Sequence, residues 1–177
     1  MRTAKLILCT LLSPLTLLPI AAQKAPPAAH FPTVTSYNLA KAKVTLPAAF
    51  SANRNLLLIS FDTGDTPEID RWVTAVQSLS RLHNSLDYYL LPISEQKNPL
   101  YRWWDNSAMR SDFTDPQLWP RVVPLYLNEN QFRRQLQIPR KSSVVVLLTD
   151  RSGNILWRAS GPPDQQKLDA LRSQLHS

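Results

Sequence analysis

Two aspartates are the residues of this sequence best suited to chemistry. Asp62 and Asp65 stand three positions apart, directly after an apolar run. Paired carboxylates can hold a cation or move a proton. A cation site needs more oxygen ligands than this spacing supplies. The structural alternative is that Asp65 or Thr66 caps a following helix, with Glu68 completing a capping box if Asp65 is the cap. The sequence alone leaves both roles open.

Other residue types that could do chemistry are scarce. The three histidines, His30, His83 and His176, have no metal-ligand spacing, so we predict no metal site and no cofactor. The chain contains three glycines, no Gly-rich phosphate loop and no G-x-S-x-G motif. Its single cysteine is Cys9. No catalytic constellation is recognisable, and we predict that the protein is not an enzyme.

The N-terminus has the composition of a targeting segment. Arg2 and Lys5 precede a Leu-rich run that reaches Ala22 and is broken by prolines. We predict a secretory signal over residues 1–22, because the run is too short and too interrupted to span a bilayer. The protein would then be exported to the periplasm or the extracellular space. The absence of acidic residues before Asp62 is also compatible with a mitochondrial leader. Signal removal would delete Cys9 and leave no thiol.

Composition and charge limit the remaining classes. The 177 residues are 44% hydrophobic, which is enough for one globular domain. We place that domain at residues 33–177, after an Ala/Pro-rich linker over residues 23–32. The net charge of +7 is dispersed, without the Lys/Arg clusters that bind nucleic acid. We therefore predict no nucleic-acid partner. No feature indicates the oligomeric state.

Apolar periodicity predicts alternating strands and helices. A helix should begin near Thr66, with apolar residues at helical spacing as far as Leu82, and another should follow a cap at Asp164. Gly153 suits a tight turn between two late strands. The pattern predicts an α/β sheet flanked by helices. Strands are expected at residues 33–37, 43–46, 55–61, 88–93, 122–127, 143–149 and 155–158, and further helices at 99–110 and 129–138.

Residues 94–121 form an insertion before the third core strand. This segment combines aromatic residues, methionine and arginine, which are enriched at protein interfaces and their hot spots. The alternative is that its tryptophans cover the flank of the sheet, as large aromatics commonly do. The candidate partner-binding residues are Arg102, Trp103, Trp104, Met109, Arg110 and Trp119.

The order of these segments resembles the thioredoxin-like superfamily. LLLISF, followed by a turn and a long helix, looks like the active-site strand and first helix of that superfamily, and VVVLLTDRSGNILWRASG resembles its C-terminal half. The resemblance covers residues 33–175 and implies a central mixed sheet flanked by helices. Where redox members carry Cys-x-x-Cys, this sequence has FDTGDT at residues 61–66. The thiols of dithiol exchange are missing there.

A narrower resemblance rests on the succession of NLLLISF, AMRSDFTD, RVVPLYLN, LQIP and LLTDRSGNILWR. It is similar to the chaperone family that assists assembly of the membrane sector of mitochondrial ATP synthase, together with its bacterial relatives. This resemblance implies a redox-inactive protein that binds another, membrane-associated protein as an assembly factor or chaperone. Our alternative hypothesis is a small-molecule or cation-binding module that uses the Asp62–Asp65 loop. A deep cleft with convergent polar groups would favour this alternative.

Overall fold

A computed structural model describes residues 29–83, 85–95, 98–142 and 144–175, with the backbone alone for residues 63 and 99–105. Seven strands and four α-helices alternate along this part of the chain. The strands are β1 (Val34–Tyr37), β2 (Lys43–Leu46), β3 (Arg54–Ser60), β4 (Leu86–Ser94), β5 (Leu125–Tyr126), β6 (Val144–Asp150) and β7 (Ile155–Ser160). The helices are α1 (Thr66–Leu82), α2 (Pro99–Asp112), α3 (Glu129–Leu136) and α4 (Gln165–Leu175).

A mixed five-stranded sheet forms the centre of the molecule, in the order β5-β4-β3-β6-β7. Strand β3 pairs in parallel with β4 and antiparallel with β6, so it is enclosed on both edges. The run from Asn55 to Ile59 is buried on both faces, as a continuous apolar strand predicts. Because β3 and β4 are parallel, their carboxyl ends lie side by side at one edge of the sheet.

Helices cover both faces of this sheet and divide the core in two. On one face, Trp72 and Val76 of α1 and Leu171 of α4 pack against Leu56 and Leu58 of β3. On the other face, the α3 residues Phe132 and Leu136 pack against alternate residues of the same strands. The predicted α/β architecture is therefore confirmed. No helix in the described part of the chain is long and apolar enough to cross a membrane.

The segment before β1 belongs to the folded core. Phe31 is fully buried, and its amide donates to the carbonyl of Gly153 at 2.8 Å. The amide of Ile155 donates to Ala29 at 2.8 Å, so residues 29–31 extend the edge of β7. Our assignment of these residues to the linker was therefore wrong, because one aromatic anchor and two backbone hydrogen bonds fix them. Residues 1–28, which include the predicted signal, lie outside the described residues.

The third core strand is much shorter than predicted. Residues 122–127 contain only the two-residue strand β5 and one isolated bridge between Leu90 and Val122. Pro124 stands between these two pairings and has no N–H to donate to a ladder. Apolar composition predicted a strand at residues 122–127 but not its interruption.

Candidate functional site

The turn between β3 and α1 uses Asp65 internally. The Oδ2 atom of Asp65 accepts the backbone N–H groups of Phe61 at 3.2 Å and Asp62 at 3.1 Å, and Asp65 is only 8% exposed. Asp62 reciprocates, because its Oδ1 atom accepts the N–H of Gly64 at 2.9 Å. Together they form a capping box around a short 3-10 turn. The two aspartates therefore do not form a cation site on their own.

This arrangement corrects the predicted capping roles. Asp65 precedes α1 but makes no side-chain cap to it, since its carboxylate faces back toward β3. Glu68 does not complete a capping box, and its Oε1 atom is buried without a hydrogen-bond partner. Burial, followed by the charge of Asp65, raises the pKa of Glu68, while Arg71 and Lys167 act in the opposite direction. The predicted box joined Asp65 and Glu68, whereas the box that forms joins Asp62 and Asp65 one turn earlier.

Beside this turn lies a cleft of about 460 Å³ at the carboxyl ends of β3 and β4. Ligands of open α/β sheets commonly bind outside the carboxyl ends of the parallel strands. Its walls come from β3, α1, β4, the end of α2 and the first residue of α3, which lie in four separate stretches of the sequence. Its apolar lining includes Leu58, Phe61, Ile69, Leu90, Met109 and Phe113.

The polar lining of the cleft is acidic. None of the described residues that line the cleft is a lysine, arginine or histidine. An apolar interior with negative groups at its mouth focuses the electrostatic potential and attracts positive charge. The arrangement thus suits a molecule that has both an apolar body and a cationic group. The carboxylates that line it belong to Asp62, Asp70, Glu95, Asp112 and Glu129.

Three of these carboxylates are held by the chain itself, and Asp62 is one of them, through the N–H of Gly64. The Oε1 atom of Glu95 accepts the backbone N–H of Glu129 at 3.2 Å. Glu129 forms an ion pair with Arg133, whose Nε lies 2.6 Å from the Glu129 Oε1 atom. Arg133 compensates part of the charge at that end of the cleft. Asp70 and Asp112 supply the other carboxylates of the lining.

The candidate interface residues of the insertion have different positions. Met109 lines the cleft, and Trp119 packs at the edge of the core while its Nε1 donates to the Phe113 carbonyl at 2.8 Å. The Nε of Arg110 donates to the Leu39 carbonyl at 2.8 Å, and its guanidinium lies 5.7 Å from the Trp119 ring centroid. Arg110 and Trp119 thus attach the insertion to the domain. The side chains of Arg102, Trp103 and Trp104 lie outside the described set, so their assignment remains a prediction.

The described residues contain no group of three or more His, Cys, Asp and Glu side chains that could hold a metal ion. Although five carboxylates line the cleft, they do not form such a group. Their arrangement suits attraction of a charged organic group better than direct coordination of a metal, which requires several converging ligands.

Neither a protein family model nor a curated protein matches this sequence. Several solved structures are similar to the structure of this chain. A protein described as the thiol:disulfide interchange protein DsbE of Chlorobium tepidum aligns with a TM-score of 0.58 and 15% identity over 84% of this chain and 94% of its own. The fold is thioredoxin-like. A protein described as an electron transport protein of Aquifex aeolicus VF5 aligns with a TM-score of 0.60 and 11% identity, over 85% of this chain and 99% of its own.

A third similar structure is Arabidopsis thaliana ScoI with copper bound, at a TM-score of 0.56 and 9% identity, over 84% of this chain and 99% of its own. At these identities the likeness establishes the thioredoxin-like fold alone. The narrower resemblance, to the ATP synthase assembly chaperones, remains a prediction.

The hypothesis of a redox-inactive assembly factor that binds another protein is wrong. The structures that share the fold are a thiol–disulfide interchange protein, an electron transport protein and a copper-bound protein. The cleft is the feature that favours our alternative, a small-molecule or cation-binding module. The chemistry of the similar proteins does not fit this site, because the chain has one cysteine, Cys9, and the 61–66 segment has none. Two thiols for exchange, or for copper, are not available there.

The sequence analysis found one of the five carboxylates of the cleft. Asp70, Glu95, Asp112 and Glu129 were missed because each is separated from Asp62 in sequence and ordinary as a surface residue. One signal could have found Glu95. It follows directly after β4, as Asp62 follows β3, and the carboxyl ends of adjacent parallel strands meet at one edge of a sheet.

Proposed function

We propose that this thioredoxin-like domain is a binding module for a small organic cation, meaning a molecule with an apolar body and a protonated amine or guanidinium group. The observation that carries this proposal is one cleft that combines apolar side chains with five carboxylates and has no basic side chain among its described lining residues. In most small-molecule sites, apolar walls bury the body of the ligand and a few polar groups set its orientation.

The electrostatics of the cleft support a cation over a neutral or anionic ligand. Asp62, Asp70 and Asp112 all line the cleft, and none of the described residues that line it with them is basic. An ammonium group that enters this field is attracted by several carboxylates at once, and the apolar walls reduce screening by water. A carboxylate ligand of the same shape would be repelled by the same groups.

The site of action that fits this proposal is outside the cytoplasm. The basic start and broken Leu-rich block of residues 1–22 support export by a cleaved signal. N-terminal sequencing of the protein from its native compartment tests this part. A first residue near Gln23 would agree with export, and an intact Met1 would contradict it.

Calorimetric titration with three matched probes tests the binding proposal. The probes are 4-phenylbutylamine, 4-phenylbutanol and 4-phenylbutyrate, which share an apolar body and differ in charge. We expect the amine to bind at least about tenfold more tightly than the alcohol, since one ion pair in a partly dry site contributes on the order of 1.4 kcal/mol. The acid should not bind measurably.

Matched charge-removing variants locate the binding. Asp62→Asn should weaken amine binding and leave the weak affinity for the alcohol unchanged. Asp169→Asn removes the same charge from the exposed face of α4 and should change neither affinity. Equal affinity of the amine and the alcohol, or equal loss in both variants, would refute a cation site in this cleft.

A further inference from the structure

A second pocket, of about 400 Å³, lies at the opposite end of α3 and has the opposite charge. Three arginines line it, Arg133 and Arg134 from the last turn of α3 and Arg140 from the loop that follows. No acidic side chain is among the described residues that line it. The pocket is separate from the acidic cleft, which α3 meets at Glu129.

Arg133 lines this pocket, and its side chain is buried and held in place by several contacts. It is 6% exposed, and its Nη1 donates to the carbonyls of Pro139 at 3.0 Å and Ser142 at 2.9 Å. Its Nε is paired with Glu129, and its guanidinium carbon lies 3.4 Å from the Phe61 ring centroid. None of these hydrogen bonds uses Nη2. The guanidinium is thus held in one orientation by Nε and Nη1, and Nη2 takes no part in these described bonds.

The other two arginines, Arg134 and Arg140, are not needed as hydrogen-bond donors to the C-terminal carbonyls of α3. The Gln137 amide donates to the carbonyls of Arg133 and Arg134, and the Nη1 of Arg158 donates to the Leu136 carbonyl at 3.1 Å. Three of the last four carbonyls of α3 therefore already have donors. Among the described residues, Arg134 and Arg140 form no ion pair, and both are exposed.

We propose that this arginine pocket binds an oxyanion, a phosphate or a phosphate monoester, between the guanidiniums of Arg133, Arg134 and Arg140. Guanidinium groups present paired N–H donors that match phosphate oxygens. The buried Arg133 supplies a preorganised donor, and the two exposed arginines close on the anion. The phosphate belongs either to a free solute or to the headgroup of an anionic lipid, and the chemistry of recognition is the same.

Two titrations of the purified full chain test this proposal and distinguish the two sources. The first uses inorganic phosphate followed by NMR of the amides around residues 133–142. The second uses sedimentation with vesicles of phosphatidic acid in phosphatidylcholine, against phosphatidylcholine alone. We expect saturable binding in at least one titration. Binding of phosphate indicates a free solute, and binding of the acidic vesicles alone indicates a lipid headgroup.

Charge-matched variants decide whether the pocket is responsible. The double variant Arg134→Gln/Arg140→Gln should weaken binding by about tenfold or more, because it removes two charge-assisted contacts. Arg151→Gln, in the exposed turn between β6 and β7, should leave binding within about twofold, since its charge lies away from the pocket. The proposal would be overturned if both variants lost binding affinity in proportion to the positive charge removed. It would also be overturned if neither titration with the parent protein reached saturation. Because these probes are anions, this result is independent of the cation cleft.

Discussion

The two ends of helix α3 carry opposite charges and open into different pockets. Glu129 in its first turn lines the acidic cleft, and Arg133 and Arg134 in its last turn line the arginine pocket. This distribution is also the one that the helix dipole favours, with acidic side chains near the N-terminus and basic side chains near the C-terminus. Charges that stabilise a short helix can therefore also create two binding surfaces of opposite sign.

The two pockets differ in how their charge is supported. In the arginine pocket, the buried guanidinium of Arg133 is fixed by a carboxylate, two carbonyls and an aromatic ring. Beside the acidic cleft, Asp65 stabilises the turn through its hydrogen bonds. The carboxylates that line the cleft belong to Asp62 and to residues of other elements. The arginine pocket contains a charged group that is held in a fixed position, whereas the acidic cleft is lined by carboxylates from several elements. Substitutions should therefore affect stability more in the first.

The largest effect should come from Arg133→Ala, which removes the residue that connects the two pockets. The variant loses the hydrogen bonds to Glu129, Pro139 and Ser142, and the Pro139 carbonyl keeps only the N–H of Ser142. We expect the free energy of unfolding to fall by about 3 kcal/mol, measured by urea denaturation. The exposed neighbour Arg134→Ala serves as the control, and its effect should stay within about 0.5 kcal/mol. Equal effects would contradict a rigid arginine pocket.

A smaller effect should separate the two aspartates of the β3–α1 turn. Asp65→Ala removes the acceptor for the amides of Phe61 and Asp62 and should cost about 2 kcal/mol of stability. Asp62→Ala removes the acceptor for the exposed amide of Gly64 and for the Asp65 amide of the capping box, and should cost about 1 kcal/mol. Thermal denaturation of both proteins measures the contrast. If Asp62→Ala proves the more damaging of the two, the assignment of Asp65 to structure and Asp62 to the cleft is reversed.

The smallest effect concerns Asp150, a carboxylate outside both pockets that serves only the β6–β7 turn. Its burial raises its pKa, but hydrogen bonds from the Asn154 side chain and from the amides of Asn154, Ser152 and Gly153 outweigh this, and the net pKa is lowered. A carboxylate with a lowered folded-state pKa contributes stability that is complete above its unfolded value of 3.8 and is lost as the pH falls through the folded value.

Asp150→Asn should therefore be less stable than the parent at pH 7, by about 1 kcal/mol. Denaturation curves recorded from pH 7 to pH 2 should show the difference shrinking below pH 3.8, as Asp150 of the parent becomes protonated. A difference that stays constant over this range would mean that the charge of Asp150 does not stabilise the turn.

Much of the fold could be predicted from local pattern. The spacing of Ile69, Trp72 and Val76 indicated α1, and the continuous apolar runs indicated β3 and β6, because each element buries a face set by its own period. The short third strand was not predicted, because the pairing of β5 depends on where Pro124 meets the sheet edge.

The cleft was beyond this kind of prediction. Its lining joins Asp62, Glu95, Asp112 and Glu129, which belong to separate elements and share no sequence motif. Only the topology, with β3 parallel to β4 and α2 and α3 folded back over their ends, brings these carboxylates together. The arginine pocket depends in the same way on the path of the loop after α3, which carries Arg140 back beside Arg133.

The most direct test of the cation cleft is an NMR titration that maps where 4-phenylbutylamine binds. We predict saturable shifts for the amides of Phe61, Asp62 and Phe113, which line the acidic cleft, and no saturable shift around Arg134 and Arg140 in the arginine pocket. The same titration with 4-phenylbutanol should shift the cleft amides only weakly. Saturable shifts confined to residues outside the cleft, or the absence of saturation with the amine, would contradict the account.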